Sequence, residues 1–154
     1  MNFRLRYLSH LVAIVCIIGF GTFGAEDASA SNRVKRTIKI DGIERTYTAY
    51  IPKSAQRKRN LRVVFVFHPA LGTSKFMEDA TKLHELPDSN EFVVVYPEGF
   101  MRTWNAGACC GVAEMRDVDD VAFFRAMMRD LAAMVSIRPK AYLTGFSNGA
   151  LTGC

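Results

Sequence analysis

Residues 145–149 read Gly-Phe-Ser-Asn-Gly, a G-x-S-x-G pentapeptide. A serine held between two glycines on a sharp strand-to-helix turn is the arrangement of a covalent nucleophile. Gly145 and Gly149 are expected to lack side chains because strand and helix backbones approach closely there. The turn would raise the Ser147 hydroxyl above the sheet and aim the Asn148 N–H at the oxygen on which negative charge gathers. A serine hydroxyl is a weak nucleophile without a base. In this setting the acid and then the histidine follow the serine, yet only five residues follow Gly149. His68 and His84 precede it. His68, just past an apolar run, is read as a structural residue that hydrogen-bonds its own loop. His84, beside Glu85, is expected to face solvent. Asp119 and Asp120 also precede Ser147 and are read as a helix start, where carboxylates suit the positive dipole end.

The elements that must position these residues follow from periodicity. Residues 34–52 alternate as two strands around Asp41-Gly42, a type I′ hairpin turn, with Pro52 ending the second. Residues 53–60 are a polar loop. Leu61 to Pro69 is an unbroken β-branched and aromatic run, as expected of a strand buried on both faces of a parallel sheet. A helix follows with Thr73 or Ser74 as its N-cap and Phe76, Ala80 and Leu83 on its apolar side; Pro87 should stop it. Glu91 to Pro97 is a second buried strand, and residues 98–111 a Gly-rich loop. Residues 118–135 form a helix of about five turns with Val121, Phe124, Met128, Leu131 and Val135 as its stripe. Ala141 to Phe146 is a third buried strand that runs into Ser147. Strands alternating with helices predict an α/β fold with a parallel sheet behind an antiparallel hairpin.

The composition bounds this reading. One domain fits 154 residues, and 49% hydrophobic with 23% charged residues is globular. The net charge of +5 comes from scattered Lys and Arg apart from residues 53–59. No aromatics interleave that run and no recognisable module accompanies it, so nucleic acid is not an expected partner. Residues 1–30 have the layout of a secretory signal peptide: Arg4 and Arg6, an apolar stretch from Leu11 to Phe23, and Ala28-Ser29-Ala30 as a cleavage site. The apolar stretch is short for a membrane span, so no stable membrane anchor is expected after cleavage, and the product should be secreted or periplasmic. Cys109, Cys110 and Cys154 would then reach a compartment where disulfides persist. The adjacent pair has no C-x-x-C partner or nearby histidine, so no metal or cofactor is expected. Adjacent Cα atoms lie about 3.8 Å apart, closer than the usual disulfide range, so a Cys109–Cys110 bond would be strained. A bond from one of them to a cysteine near or after the nucleophile helix, such as Cys154, is the more plausible pairing.

Four segments carry a resemblance: FHPALGT (67–73), FVVVYPEGF (92–100), TWNAGACCGVAEMRDVDDVAFF (103–124) and AYLTGFSNGA (141–150). Together they resemble the secreted polyhydroxybutyrate depolymerase/feruloyl esterase group of α/β-hydrolases, over about Thr37 to Ala150. W-N-A-G-x-C-C-G followed by V-D-D-V-x-F-F is the most specific element. The resemblance implies an α/β-hydrolase fold and a substrate that is a carboxylic ester, either a polyester or its oligomers or an aromatic ester on plant polysaccharide. It implies Ser147 as nucleophile, the Asn148 and Ala70 amides as oxyanion hole, with Leu71 the next donor candidate, and Trp104-Asn105 as loop residues near the site. Trp104 could be an aromatic subsite or a loop anchor. Two features depart from the pattern. Pro69, which has no N–H and a fixed φ, stands where the oxyanion loop has Gly, and residues 150–154 do not read as the long helix that should follow. Residues 31–154 are therefore expected to be an incomplete catalytic domain, inactive alone, with the triad acid and histidine after Cys154. The alternative expectation is a non-catalytic exported binding module on a hydrolase scaffold.

Overall fold

The computed structural model describes residues 31–86, 92–107 and 111–152. The chain opens on a hairpin of β1 (Ser31–Ile40) and β2 (Ile43–Pro52). Asp41 and Gly42 both have positive φ, 48° and 82°, as a type I′ turn requires. The two strands pair antiparallel over their whole length, from Ser31↔Pro52 to Ile40↔Ile43. β3 (Leu61–Phe67), β4 (Phe92–Pro97) and β5 (Ile137–Gly145) complete a five-stranded sheet of order β1-β2-β4-β3-β5. β2 runs antiparallel to β4, whereas β3 is parallel to both β4 and β5. The α/β architecture expected from the order of elements is the one observed.

β3 and β4 do not alternate because both faces of the central sheet are covered. On one face α3 (Asp120–Met134) lays Phe123, Met127 and Leu131 against Tyr47, Val63, Phe65, Val93 and Val95. On the other, α1 (Ser74–Thr81) places Met77 against Tyr50, Val66, Val94 and Tyr96. Two short helices, α2 (Val112–Met115) and α4 (Asn148–Leu151), follow the Gly-rich loop and β5. Among the described residues no helix is long and apolar enough to cross a membrane. Residues 1–30, read above as a leader, Pro87, and Cys109, Cys110 and Cys154 lie outside the described residues.

Five local expectations need correction. In α1 the Thr73 side chain caps the helix as expected, accepting from the Phe76 N–H at 3.0 Å, but Phe76 is 52% exposed and the buried side holds Met77 and Glu78. Glu78 turns inward because its carboxylate accepts the Tyr50 hydroxyl at 2.7 Å and sits 3.5 Å from Arg33. The helix already ends at Thr81, where Lys82 adopts a left-handed conformation. His84 does not face solvent: its ring stacks on Tyr50 at 4.1 Å and its Nδ1 lies 3.3 Å from the Tyr96 hydroxyl.

In α3 the buried stripe runs Asp120, Phe123, Met127, Leu131, while Val121 is 58% exposed. Leu131 is buried as expected, and Phe124, Met128 and Val135 pack partly buried against the core; the inward carboxylate turns the rest of the fully buried line by one residue, to Phe123 and Met127, which counting apolar positions cannot see. Among the described residues β5 is an edge strand, bonded only to β3, and not a buried one. Tyr142 and Leu143 are exposed.

Candidate active site

Ser147 stands at the junction of β5 and α4. Its backbone has φ 52° and ψ −123°. For a residue with a Cβ such a conformation costs roughly 1–3 kcal/mol and persists only where the surroundings enforce it. The flanking glycines show what enforces it. A Cβ on Gly145 would lie 2.8 Å from the Gly149 carbonyl and 2.9 Å from the Phe67 oxygen. One on Gly149 would run into the His68 carbonyl oxygen and lie 2.7 Å from that of Phe67. The end of β3, the turn and the start of α4 therefore pass within backbone contact. The Phe146 N–H donates to the Phe67 oxygen at 3.2 Å, which holds the turn against β3. Ser147 is exposed, and Asn148 heads α4.

The loop after β3 faces this turn. The Gly72 N–H donates to the Pro69 oxygen at 2.9 Å and closes a turn whose left-handed residue is Leu71, φ 63°. The positive φ thus falls two residues after Pro69, so a proline fits where glycine was expected. The Leu71 N–H donates to the Arg102 oxygen at 2.8 Å, which removes Leu71 as an oxyanion donor. The Ala70 N–H has no hydrogen-bond partner among the described residues.

His68 is fully buried and both ring nitrogens are engaged. Its Nε2 accepts the Gly99 N–H at 2.9 Å, so the proton sits on Nδ1 and goes to the Pro69 oxygen at 2.8 Å. Burial holds its pKa below the usual histidine value, against the opposing pull of the Pro69 carbonyl and of Glu98. Glu98 Oε1 lies 3.5 Å from Nε2. The other oxygen, Oε2, accepts both the backbone N–H (2.9 Å) and the hydroxyl (2.6 Å) of Ser74.

Trp104 is a buried anchor and not an exposed ring. It packs edge-on to Phe67 with centroids 5.0 Å apart, and its indole N–H donates to the His68 carbonyl at 2.9 Å. Its backbone is held by the Asn148 side chain, whose Oδ1 accepts the Trp104 N–H (2.9 Å) and whose Nδ2 donates to the Trp104 oxygen (3.1 Å). Asn105 continues the loop. Its N–H donates to Asp120 Oδ2 at 2.7 Å, and its side chain donates to Asp117 and to the Val118 carbonyl. The other Asp120 oxygen accepts from Arg45 at 2.7 Å, both side chains being nearly inaccessible. A groove of about 480 Å³ lies beside this loop, lined among others by Phe67, Asn105, Val121, Phe124 and Leu143. Ser147 is not among its lining residues.

The pentapeptide and the His68–Ala70 loop, far apart in sequence, are thus neighbours, with Trp104 wedged behind them. Asp120 does more than open a helix: it ties α3 to β2 and to the loop. The doubled Asp119-Asp120 was visible in sequence, but a cap explained it and no pattern pointed to Arg45. The role of the Asn148 side chain had no sequence signal either. Among the described residues no group of three His, Cys, Asp or Glu side chains is placed to hold a metal ion.

No family model and no curated protein matches the chain. Solved structures do. A ferulic acid esterase from the anaerobic fungus Anaeromyces mucronatus superposes with a TM-score of 0.58 at 19% identity, over 80% of this chain and 52% of its own. A feruloyl esterase module from Clostridium thermocellum, complexed with sinapinate, gives 0.58 at 17% identity over 81% and 48%. S-formylglutathione hydrolase from Staphylococcus aureus gives 0.58 at 11% identity over 77% and 48%. The chain spans about half the length of these proteins. At such identities the likeness is one of fold: the chain has an α/β-hydrolase fold.

Proposed function

We propose that this chain carries the nucleophile side of an exported serine carboxylic ester hydrolase. The observation that carries the reading is the strained Ser147 between Gly145 and Gly149 at the end of β5. A turn that stores strain to lift one hydroxyl off a sheet is hard to explain by packing alone. In the proposed reaction Ser147 Oγ attacks the ester carbonyl carbon and its proton passes to a base. The negative oxygen accepts from the Asn148 and Ala70 N–H groups. Loss of one such donor typically costs about 10²–10³ in rate. The alcohol leaves with a proton, and water then releases the acid from the acyl-serine. The base is neither described histidine, since His68 has both ring nitrogens bonded and His84 is stacked on Tyr50. We assign it to a residue outside the described ones.

The substrate class follows the neighbours' chemistry and the W-N-A-G block: a feruloyl-type ester or a polyhydroxybutyrate-type polyester or oligomer. The test is hydrolysis of p-nitrophenyl acetate, methyl ferulate and a hydroxybutyrate oligomer by protein made from the full reading frame, including any sequence after Cys154. Ser147→Ala should remove turnover of whichever ester is cleaved; undiminished turnover would refute the assignment. A second reading, a non-catalytic binding module on the same scaffold, is favoured by the engagement of both described histidines. A fluorophosphonate probe that labels Ser147 would exclude it, and ester binding without labelling or turnover would establish it.

A further inference from the structure

We infer that the Asn148 side chain is a positioning residue, which sets the spacing of the two proposed oxyanion donors by tying the nucleophile turn to the His68–Ala70 loop through Trp104. The inference rests on the reading of Ser147 as nucleophile. The connection is continuous. Asn148 grips both backbone polar groups of Trp104, accepting its N–H at 2.9 Å and donating to its oxygen at 3.1 Å. The Trp104 indole N–H donates to the His68 oxygen at 2.9 Å. His68 Nδ1–H donates to the Pro69 oxygen at 2.8 Å, and that carbonyl belongs to the peptide whose N–H is that of Ala70. From one proposed donor to the other the path thus runs from Asn148 through Trp104 and His68, all three fully buried, to the half-buried Pro69 carbonyl.

The chemistry explains why asparagine serves here. The site presents one donor and one acceptor on the same residue, and a carboxamide is the short side chain that complements both. Aspartate would keep the acceptor and lose the donor. Alanine would leave two buried backbone groups of Trp104 without these partners. Packing alone would favour an apolar side chain at so dry a position. In the proposed reading the backbone N–H of Asn148 donates to the oxyanion, while its side chain is bonded to Trp104. One residue would therefore both donate and hold the opposite donor in place, and small displacements of such donors cost rate.

The chain has a single tryptophan, so its indole N–H gives one resonance in a ¹H–¹⁵N spectrum. In ¹⁵N-labelled full-length chain, Asn148→Ala should shift that resonance, speed its exchange with deuterium at least about tenfold as the buried bonds loosen, and move the Ala70 amide. Asn148→Asp should give a smaller displacement, and Ser147→Ala none. If Asn148→Ala does not fold, Trp104→Phe removes the indole bond together with part of the buried ring and should still move Ala70. Wild-type positions for Ala70 and the indole in folded Asn148→Ala, or for Ala70 in Trp104→Phe, would overturn the inference. In ester hydrolysis, Asn148→Ala should lower kcat by about 10²-fold, the scale of one misaligned donor, with KM within about twofold. An unchanged kcat beside a moved Ala70 amide would overturn the catalytic part. Turnover that survives Ser147→Ala would instead remove the nucleophile assignment, with the spectra still deciding whether the brace exists.

Discussion

His68 makes the fold acid-sensitive at a single residue. Its ring is fully buried and neutral, with its pKa held below the ordinary 6.5 chiefly by burial. The charges that act on it are Glu98, which favours protonation, and Arg102 and Arg45, which oppose it. The unfolded chain binds a proton near pH 6.5 and the folded one only lower. Stability is therefore undiminished above about 6.5 and falls as pH drops from there toward the folded value, by at most about 1.4 kcal/mol per pH unit. Asp130, held low chiefly by its hydrogen bonds with Arg36, loses its contribution only below 3.8, beneath the range from pH 7.5 to 5. Thermal melts between pH 7.5 and 5 should show Tm falling, and His68→Asn should be less stable at pH 7.5 but flatter across that range. An equal slope in the variant would assign the effect to other groups. At this scale, what could be read in sequence was what local sterics dictate. Gly145 and Gly149 flank Ser147 because of backbone contacts the motif encodes. The Asn148 side chain could not be read, because its partner, Trp104, lies 44 residues away.

The order of elements was legible for the same reason that their faces were not. Alternation, continuous apolar runs and the Asp41-Gly42 turn are local signals, and each became the strand or turn it suggested. Which side of α3 goes inward depends on Arg45, back in β2. The Arg45 and Asp120 side chains are 2% and 3% exposed and 2.7 Å apart. Arg45 also lies over the Phe123 ring at 4.3 Å, and its Nε and Nη1 have no hydrogen-bond partner among the described residues. Asp120 therefore carries most of the compensation for a buried cation. Asp120→Ala should cost about 3–5 kcal/mol, the penalty for leaving one buried charge unpaired. Its neighbour Asp119 is exposed and caps α3 through the Ala122 N–H at 2.7 Å, so Asp119→Ala should cost only about 1 kcal/mol. Urea unfolding of the two variants checks the difference, and equal costs would show that Arg45 does not depend on Asp120.

For the whole molecule the sheet is asymmetric. Its hairpin edge is long and charged: β1 carries Arg33, Lys35, Arg36 and Lys39, of which Arg36 reaches Asp130 on α3. At the other edge β5 is bonded on one side only among the described residues, and Tyr142, Leu143 and Phe146 are 59%, 41% and 65% exposed. Leu151 on α4 and Val121 on α3 extend the apolar surface. An edge with unpaired N–H and C=O groups beside apolar side chains is a template for another strand, and the charges that usually protect edges are sparse on its last five residues. Residues 31–154, exported into an oxidising compartment, should therefore self-associate as the concentration rises and lack Ser147-dependent turnover of p-nitrophenyl acetate, since neither described histidine is free to act as base. Leu143→Lys adds a charge at the edge and leaves the backbone bonds to β3 intact. It should raise the monomer fraction in sedimentation velocity and the soluble yield severalfold, whereas Lys35→Leu on the opposite edge should not. A wild-type chain that stays monomeric at about 100 μM and melts cooperatively would show that β5 is protected without a partner, and Ser147-dependent hydrolysis by that monomer would show that a base is already present within it.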